Sequence, residues 1–306
     1  MNAYADVRYL PHARFEQVDT RFDRELGIYW AWMNPKPRPY FSGQLLSELS
    51  SYVDTIENGA GTMTDAQGER GDVRYTVIAS KAEGVFNLGG DLALFKSAIL
   101  ARDRATLVHY GRSCVDTLHR WWRNCGLPLT TISLVQGEAL GGGFECALAS
   151  SVIIAEEDAR MGFPEILFNL FPGMGAYSFL SRKVGRRTAN QLMTSGTIHS
   201  ARELYDMGVV DVITPAGTGE AAVESYVRRH QRSANGRRGI EAIAKEMNPL
   251  AHEELVRIVE LWADAALRLS DRDLKMMDRL VRAQQRVQAT EAAGSNVVPL
   301  AVGAGD

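Results

Sequence analysis

Two glutamates and two glycine turns are the residues of this chain whose types and order could do chemistry. Glu145 lies in Val135-Gln-Gly-Glu-Ala-Leu-Gly-Gly-Gly-Phe-Glu-Cys146, and Glu165 follows downstream in Gly162-Phe-Pro-Glu-Ile166. The other glycine turn lies upstream, in Val85-Phe-Asn-Leu-Gly-Gly-Asp-Leu92. Each turn follows an apolar run and offers backbone N–H groups with no side chain to block approach. The second opens a predicted helix, whose N-terminal dipole favours developing negative charge. The turns could together form an oxyanion hole, and the carboxyls could move protons on a carbon beside a carbonyl. Removing such a proton creates an enolate, so donors help most when they fit its oxygen better than that of the substrate. Each feature alone has a plainer reading. Gly89-Gly90 can be a tight turn, Gly141-Gly142-Gly143 a close helix contact, Glu145 a dipole partner and Glu165 a solvated residue at a helix start.

The elements that must position these residues alternate. Gly27–Met33 reads as a strand, broken by Pro35, Pro37 and Pro39 before a helix from about Ser42; residues 57–72 read as a loop. Val73–Ser80, Thr131–Gln136, Ser150–Ala155 and Val209–Thr214 are strand-like runs of the buried parallel kind. Helical stretches over 91–124, 142–149 and 200–207 lie between them, which predicts βαβ units with right-handed crossovers. From Gly217 strand signals stop, and Leu255, Ile258, Leu261, Trp262 and Ala265 recur at helical steps. The expected organisation is a weakly patterned segment over 1–20, a core over 21–215, a helical region over 216–291 and a frayed tail over 292–306.

Bulk composition narrows the function classes. A chain of 306 residues with 45% hydrophobic content can bury a large core, and a net charge of −3 supplies no general excess for nucleic acid or anionic membranes. Cys114, Cys125 and Cys146 are odd in number and lack CxxC spacing, which argues against a disulfide framework and a zinc cluster. No metal or other cofactor is expected. With no secretory n- and h-region and no membrane-length apolar run, the expected location is cytoplasmic. Gly-x-Ser-x-Gly is absent, and His109 and His119 read as surface or structural residues, so no Ser/His/Asp nucleophile arrangement is visible.

Taken in order, the Gly-Gly-Asp-Leu turn, the Ala-Leu-Gly-Gly-Gly-Phe-Glu segment, Ile153-Ile-Ala155, Pro164-Glu-Ile166 and Phe171-Pro-Gly-Met-Gly175 resemble the crotonase superfamily of enoyl-CoA hydratases and isomerases. The resemblance implies an α/β spiral of ββα units with an α-helical C-terminal region. It implies that Gly90 and Gly142 N–H groups hold a thioester oxygen and that Glu145 and Glu165 are the acid/base pair. Within the superfamily, Phe86–Phe95, Ile166–Phe179 and Met277–Gln284 look like the diffusible signal factor synthases, over roughly Arg21 to Gln288. That likeness implies dehydration of a 3-hydroxyacyl thioester on acyl carrier protein, or on coenzyme A, followed by thioester cleavage to a cis-2-unsaturated fatty acid used in quorum sensing. It places Leu140, Met174, Trp262 and Leu280 around an acyl pocket. It further implies a homotrimer or hexamer and a possible sensor-kinase receiver domain as partner. The alternatives are a hydratase or isomerase that leaves the thioester intact, and a non-catalytic binder of acyl chains or a signalling partner. Lys81, Lys96 and Arg102 are candidates for a basic rim facing the carrier arm.

Overall fold

The computed structural model describes residues 15–279 and Arg282. β1 (Val18–Asp23) pairs antiparallel with β2 (Ile28–Met33). β1 thus occupies part of the weakly patterned opening stretch; as an edge strand it has few fully buried positions to leave a pattern. Ser42 caps α1 (Gly43–Asn58), its hydroxyl accepting the Leu45 N–H at 3.1 Å. The stretch expected to be a loop holds a small hairpin, β3 (Thr62–Thr64) with β4 (Arg70–Asp72). Then come β5 (Tyr75–Ser80) and β6 (Val85–Asn87).

The long helical region is two helices, α2 (Leu92–Leu100) and α3 (Arg104–Trp122). Arg102 breaks them with φ 54°, and Asp103 caps the second by accepting the Thr106 N–H. The chain continues through β7 (Thr130–Val135), β8 (Glu138–Leu140), α4 (Gly142–Leu148), β9 (Val152–Glu156) and β10 (Arg160–Gly162). A 3-10 turn, Pro164–Phe168, leads to α5 (Ala176–Ser195), β11 (Ile198–Ser200), α6 (Ala201–Asp206) and β12 (Val212–Thr214).

The larger sheet has the order β1-β2-β5-β7-β9-β12 and is parallel beyond the first pair. The smaller has the order β11-β10-β8-β6. β5, β7 and β9 each hand the chain to β6, β8 and β10, so successive turns lay one strand in each sheet before a helical segment. This is the expected spiral of ββα units. The four strands of the smaller sheet are three residues long, too short to carry a readable period.

Period-two alternation divides the core. Ile28, Trp30 and Trp32 face a cluster covered by Val223 and Val227 of α7 (Gly219–His230), whereas Tyr29, Ala31 and Met33 face the main core. The C-terminal region is helical, with α8 (Ala234–Met247), α9 (His252–Ala266) and a helix over 271–279. α9 crosses α3 at Gly111, where a Cβ would lie 2.5 Å from Val259. No helix among the described residues is long and apolar enough to cross a membrane.

Candidate active site

The spiral brings the two glycine turns together. Gly143, in the first turn of α4, lies so close to β6 that a Cβ would fall on the Asn87 carbonyl oxygen; only glycine permits this approach. A Cβ on Gly142 would lie 3.4 Å from Gly89 Cα and 3.5 Å from Gly90 N. The orientation of the peptides follows from their carbonyls. Gly89 O accepts the Phe41 N–H at 2.8 Å, and Gly141 O accepts the Glu145 N–H at 3.0 Å. In a trans peptide the N–H points opposite to the C=O, so the Gly90 and Gly142 N–H groups are turned away from these partners. Among the described residues no backbone acceptor takes either N–H. Gly142 is also the first residue of α4, where amides have no intrahelical acceptor.

Glu145 is buried on the first turn of α4, and its Oε1 accepts N–H groups from Met174 at 2.8 Å and Ala176 at 3.0 Å. Burial pushes its carboxyl up to about 7, while the two N–H bonds act in the opposite sense. Glu165 stands in the 3-10 turn, and its carboxylate lies against Gly141, where any Cβ would fall on Oε1. The residue reaches the surface in part, but Oε2 is buried and has no hydrogen-bond partner among the described residues. Burial, then the neighbouring charge of Glu145, pushes Glu165 up to about 8. Both carboxyls are thus raised, and as neighbours the two titrate as a coupled pair.

Both glutamates, Gly89, Gly90, Gly141 and Gly142 line one apolar cavity. Met174 and Trp262 line it as well. Leu140 is buried in β8 beside Gly141 and is not among the lining residues. Leu280 lies outside the described residues. Much of the wall comes instead from α1, through Leu46, Leu49, Tyr52 and Val53, and from α3, through Tyr110, Cys114, Thr117, Leu118 and Trp121. Their sequence signal is amphipathic spacing, which does not separate a face on a cavity from a face on a solid core. Cys114 and Cys146 also line the cavity, and burial raises both thiols, Cys146 to about 12, so they remain neutral.

Other candidates lie elsewhere. His109 is exposed, and His119 Nε2 lies 3.0 Å from the Leu250 carbonyl oxygen; neither lines the cavity. Lys81 pairs with Asp19 at 2.9 Å, Lys96 with Asp278 at 2.6 Å, and Arg102 donates to Leu267 O at 3.1 Å. None of the three lines the cavity. Of the apolar residues that recur at helical steps in the C-terminal region, Trp262 packs inside the subunit on Phe95 with ring centroids 4.9 Å apart, whereas Leu261 is exposed. Among the described residues no group of three or more His, Cys, Asp and Glu is placed to hold a metal ion.

Comparison with known proteins gives this arrangement a family. The model of the enoyl-CoA hydratase/isomerase family matches residues 62–275. A probable enoyl-CoA hydratase of Bacillus subtilis is 32% identical over 179 residues, 58% of this chain and 62% of that protein, so the match spans less than two thirds of the relative. An enoyl-CoA isomerase/hydratase of Zymoseptoria tritici is 27% identical over 271 residues, 87% of this chain and 80% of that one. Among solved structures, human mitochondrial delta3-delta2-enoyl-CoA isomerase superposes with a TM-score of 0.71 at 17% identity, covering 89% of this chain and 99% of that chain. DspI of Pseudomonas aeruginosa does so with a TM-score of 0.64 at 22% identity, covering 80% and 88%. At these identities the two structures speak for the fold alone, whereas the family model covers well over half of the chain. The chain belongs to the enoyl-CoA hydratase/isomerase family of the crotonase superfamily.

Proposed function

We propose that the chain dehydrates 3-hydroxyacyl thioesters and then cleaves the thioester, releasing a cis-2-unsaturated fatty acid that serves as a quorum-sensing signal. One observation carries the reading: two carboxyls with raised pKa values and two free-pointing amides line the same apolar cavity. In the dehydration, the ionised carboxylate of the pair takes the C2 proton and electron density moves onto the thioester oxygen, held by the Gly90 and Gly142 N–H groups. The C2–C3 double bond then forms as the C3–O bond breaks, and the protonated carboxyl supplies the proton that makes the departing hydroxyl water. In the second step a water oxygen attacks C1 with its proton passing to a carboxylate, the C1–S bond breaks, and the thiol leaves with a proton. The same amides stabilise the tetrahedral oxyanion. The apolar walls from α1 and α3 suit an acyl chain.

The thioester is carried by acyl carrier protein or coenzyme A, and thioester chemistry is favoured by the similarity to the probable enoyl-CoA hydratase of Bacillus subtilis and the enoyl-CoA isomerase/hydratase of Zymoseptoria tritici. Self-association as a trimer or hexamer fits α8, whose Ile240, Ile243 and Met247 are exposed on one side of the helix. The test is incubation of the purified protein with a 3-hydroxyacyl carrier-protein thioester, followed by mass spectrometry. Free 2-unsaturated acid is the expected product. Reversible hydration with the thioester intact would replace this reading with that of a simple hydratase.

A further inference from the structure

We propose that Tyr110 is a positioning residue that holds the Gly90 amide in register for the thioester oxygen, an inference that rests on the acyl-thioester reading above. Glycine at position 90 is dictated by space, because a Cβ there would lie 2.6 Å from the Phe95 ring and 3.5 Å from the Tyr110 hydroxyl. A glycine pair has no side chain to fix its own peptides, so the amide direction must be set from outside.

Three hydrogen bonds do this. The Phe41 N–H donates to Gly89 O at 2.8 Å, which orients the peptide carrying the Gly90 N–H. The Tyr110 hydroxyl donates to Phe41 O at 2.6 Å and accepts the Asp91 N–H at 3.3 Å. Both peptides flanking the Gly90 Cα are therefore tied to one network, and Tyr110 closes it. Burial raises the Tyr110 phenol well above its ordinary value, so the hydroxyl keeps its proton and its donor role.

Tyr110 also lines the cavity, stacked edge-on against Phe95 at 4.9 Å, which in turn meets Trp262 edge-on at 4.9 Å. The wall that would grip the acyl chain is thus the wall that fixes the amide. An acyl chain that fills the cavity restrains this ladder and reaches the oxyanion donor through it. Chain length then shows in kcat as well as in KM, because the gain is made where charge develops.

The test compares Tyr110→Phe with wild type in three readouts: steady-state kinetics over a series of acyl chain lengths, amide hydrogen exchange at Asp91 in the free protein, and thermal melting. The expected result is a kcat lower by about tenfold with KM changed by less than about twofold, against the roughly 10²–10³-fold loss for removing one donor outright. Asp91 exchange becomes faster, and the dependence of kcat on chain length flattens. A fluorinated tyrosine at position 110, which keeps the hydroxyl and the shape, shifts the same readouts in smaller steps should Tyr110→Phe fold poorly. Unchanged Asp91 exchange overturns the clamp whatever the substrate. Unchanged kcat, or kcat and KM moving together, overturns its catalytic consequence. A wild-type protein that turns over no thioester removes the functional reading, and the exchange measurement then decides the clamp by itself.

Discussion

Glu145 and Glu165 differ in what surrounds them, and in the proposed reaction that difference would let two identical side chains divide acid and base work. Two backbone N–H groups stabilise the anion of Glu145, whereas Glu165 has an unpartnered Oε2 and a like charge beside it. Both carboxyls are raised, to about 7 and about 8. Below that range both are protonated and no base remains; above it both are ionised and no acid remains. The profile of kcat/KM against pH in the free enzyme is therefore expected to be bell-shaped, with its maximum where the pair holds one proton, between about 7 and about 8. A plateau from pH 5 upwards would contradict the pairing. The sequence places the two glutamates in motifs but is silent on Met174 and Ala176 as N–H donors, because those bonds come from backbone far along the chain. Once the family resemblance pairs the two glutamates in an apolar site, repulsion and burial predict at least one raised pKa; the order within the pair needs the surroundings.

At the scale of elements, the geometry of the two turns gives contrasting consequences for neighbouring glycines. Gly142 has no left-handed backbone, and a Cβ there would meet nothing closer than 3.4 Å, so alanine fits the fold. Its methyl would nevertheless stand 3.5 Å from Gly90 N, between the two amides. Gly142→Ala is expected to melt near wild type while kcat/KM falls by roughly 10²–10³, the cost of disabling one such donor. Gly143→Ala would drive its Cβ into the Asn87 carbonyl, so it loses stability first, as a lowered melting temperature or as insoluble protein. Equal melting losses for both substitutions would contradict the placement of α4 against β6. The glycine runs and the long buried strands, such as β2 and β9, are legible in the sequence because their apolar runs are unbroken. The three-residue strands β6, β8, β10 and β11 are not, although β6 and β8 lead directly into the two turns. The break at Arg102 is equally hidden, since a left-handed arginine has no compositional mark.

For the molecule as a whole, the two glutamates and the glycine turns share one cavity with apolar side chains of α1 and α3. The family fold is legible from the order of motifs. The walls are not, because Leu49, Tyr52, Leu118 and Trp121 carry the same helical spacing as any core face. Leu140, expected at the pocket by resemblance, supports the turn from β8, and its carbonyl oxygen would lie 2.8 Å from a Cβ on Gly89. In the proposed reaction, abstraction of a proton from C2 of a bound acyl thioester would join all of these parts: the cavity would seat the chain, the amides would take up the charge and the carboxylate would remove the proton. Exchange of the C2 proton in deuterium oxide, followed by mass spectrometry of the recovered thioester, isolates that step from whatever follows it. Wild-type protein is expected to introduce deuterium at C2, and Glu145→Gln/Glu165→Gln to lower the rate by about 10³ or more. Exchange in the double variant at the wild-type rate would contradict the assignment of the pair.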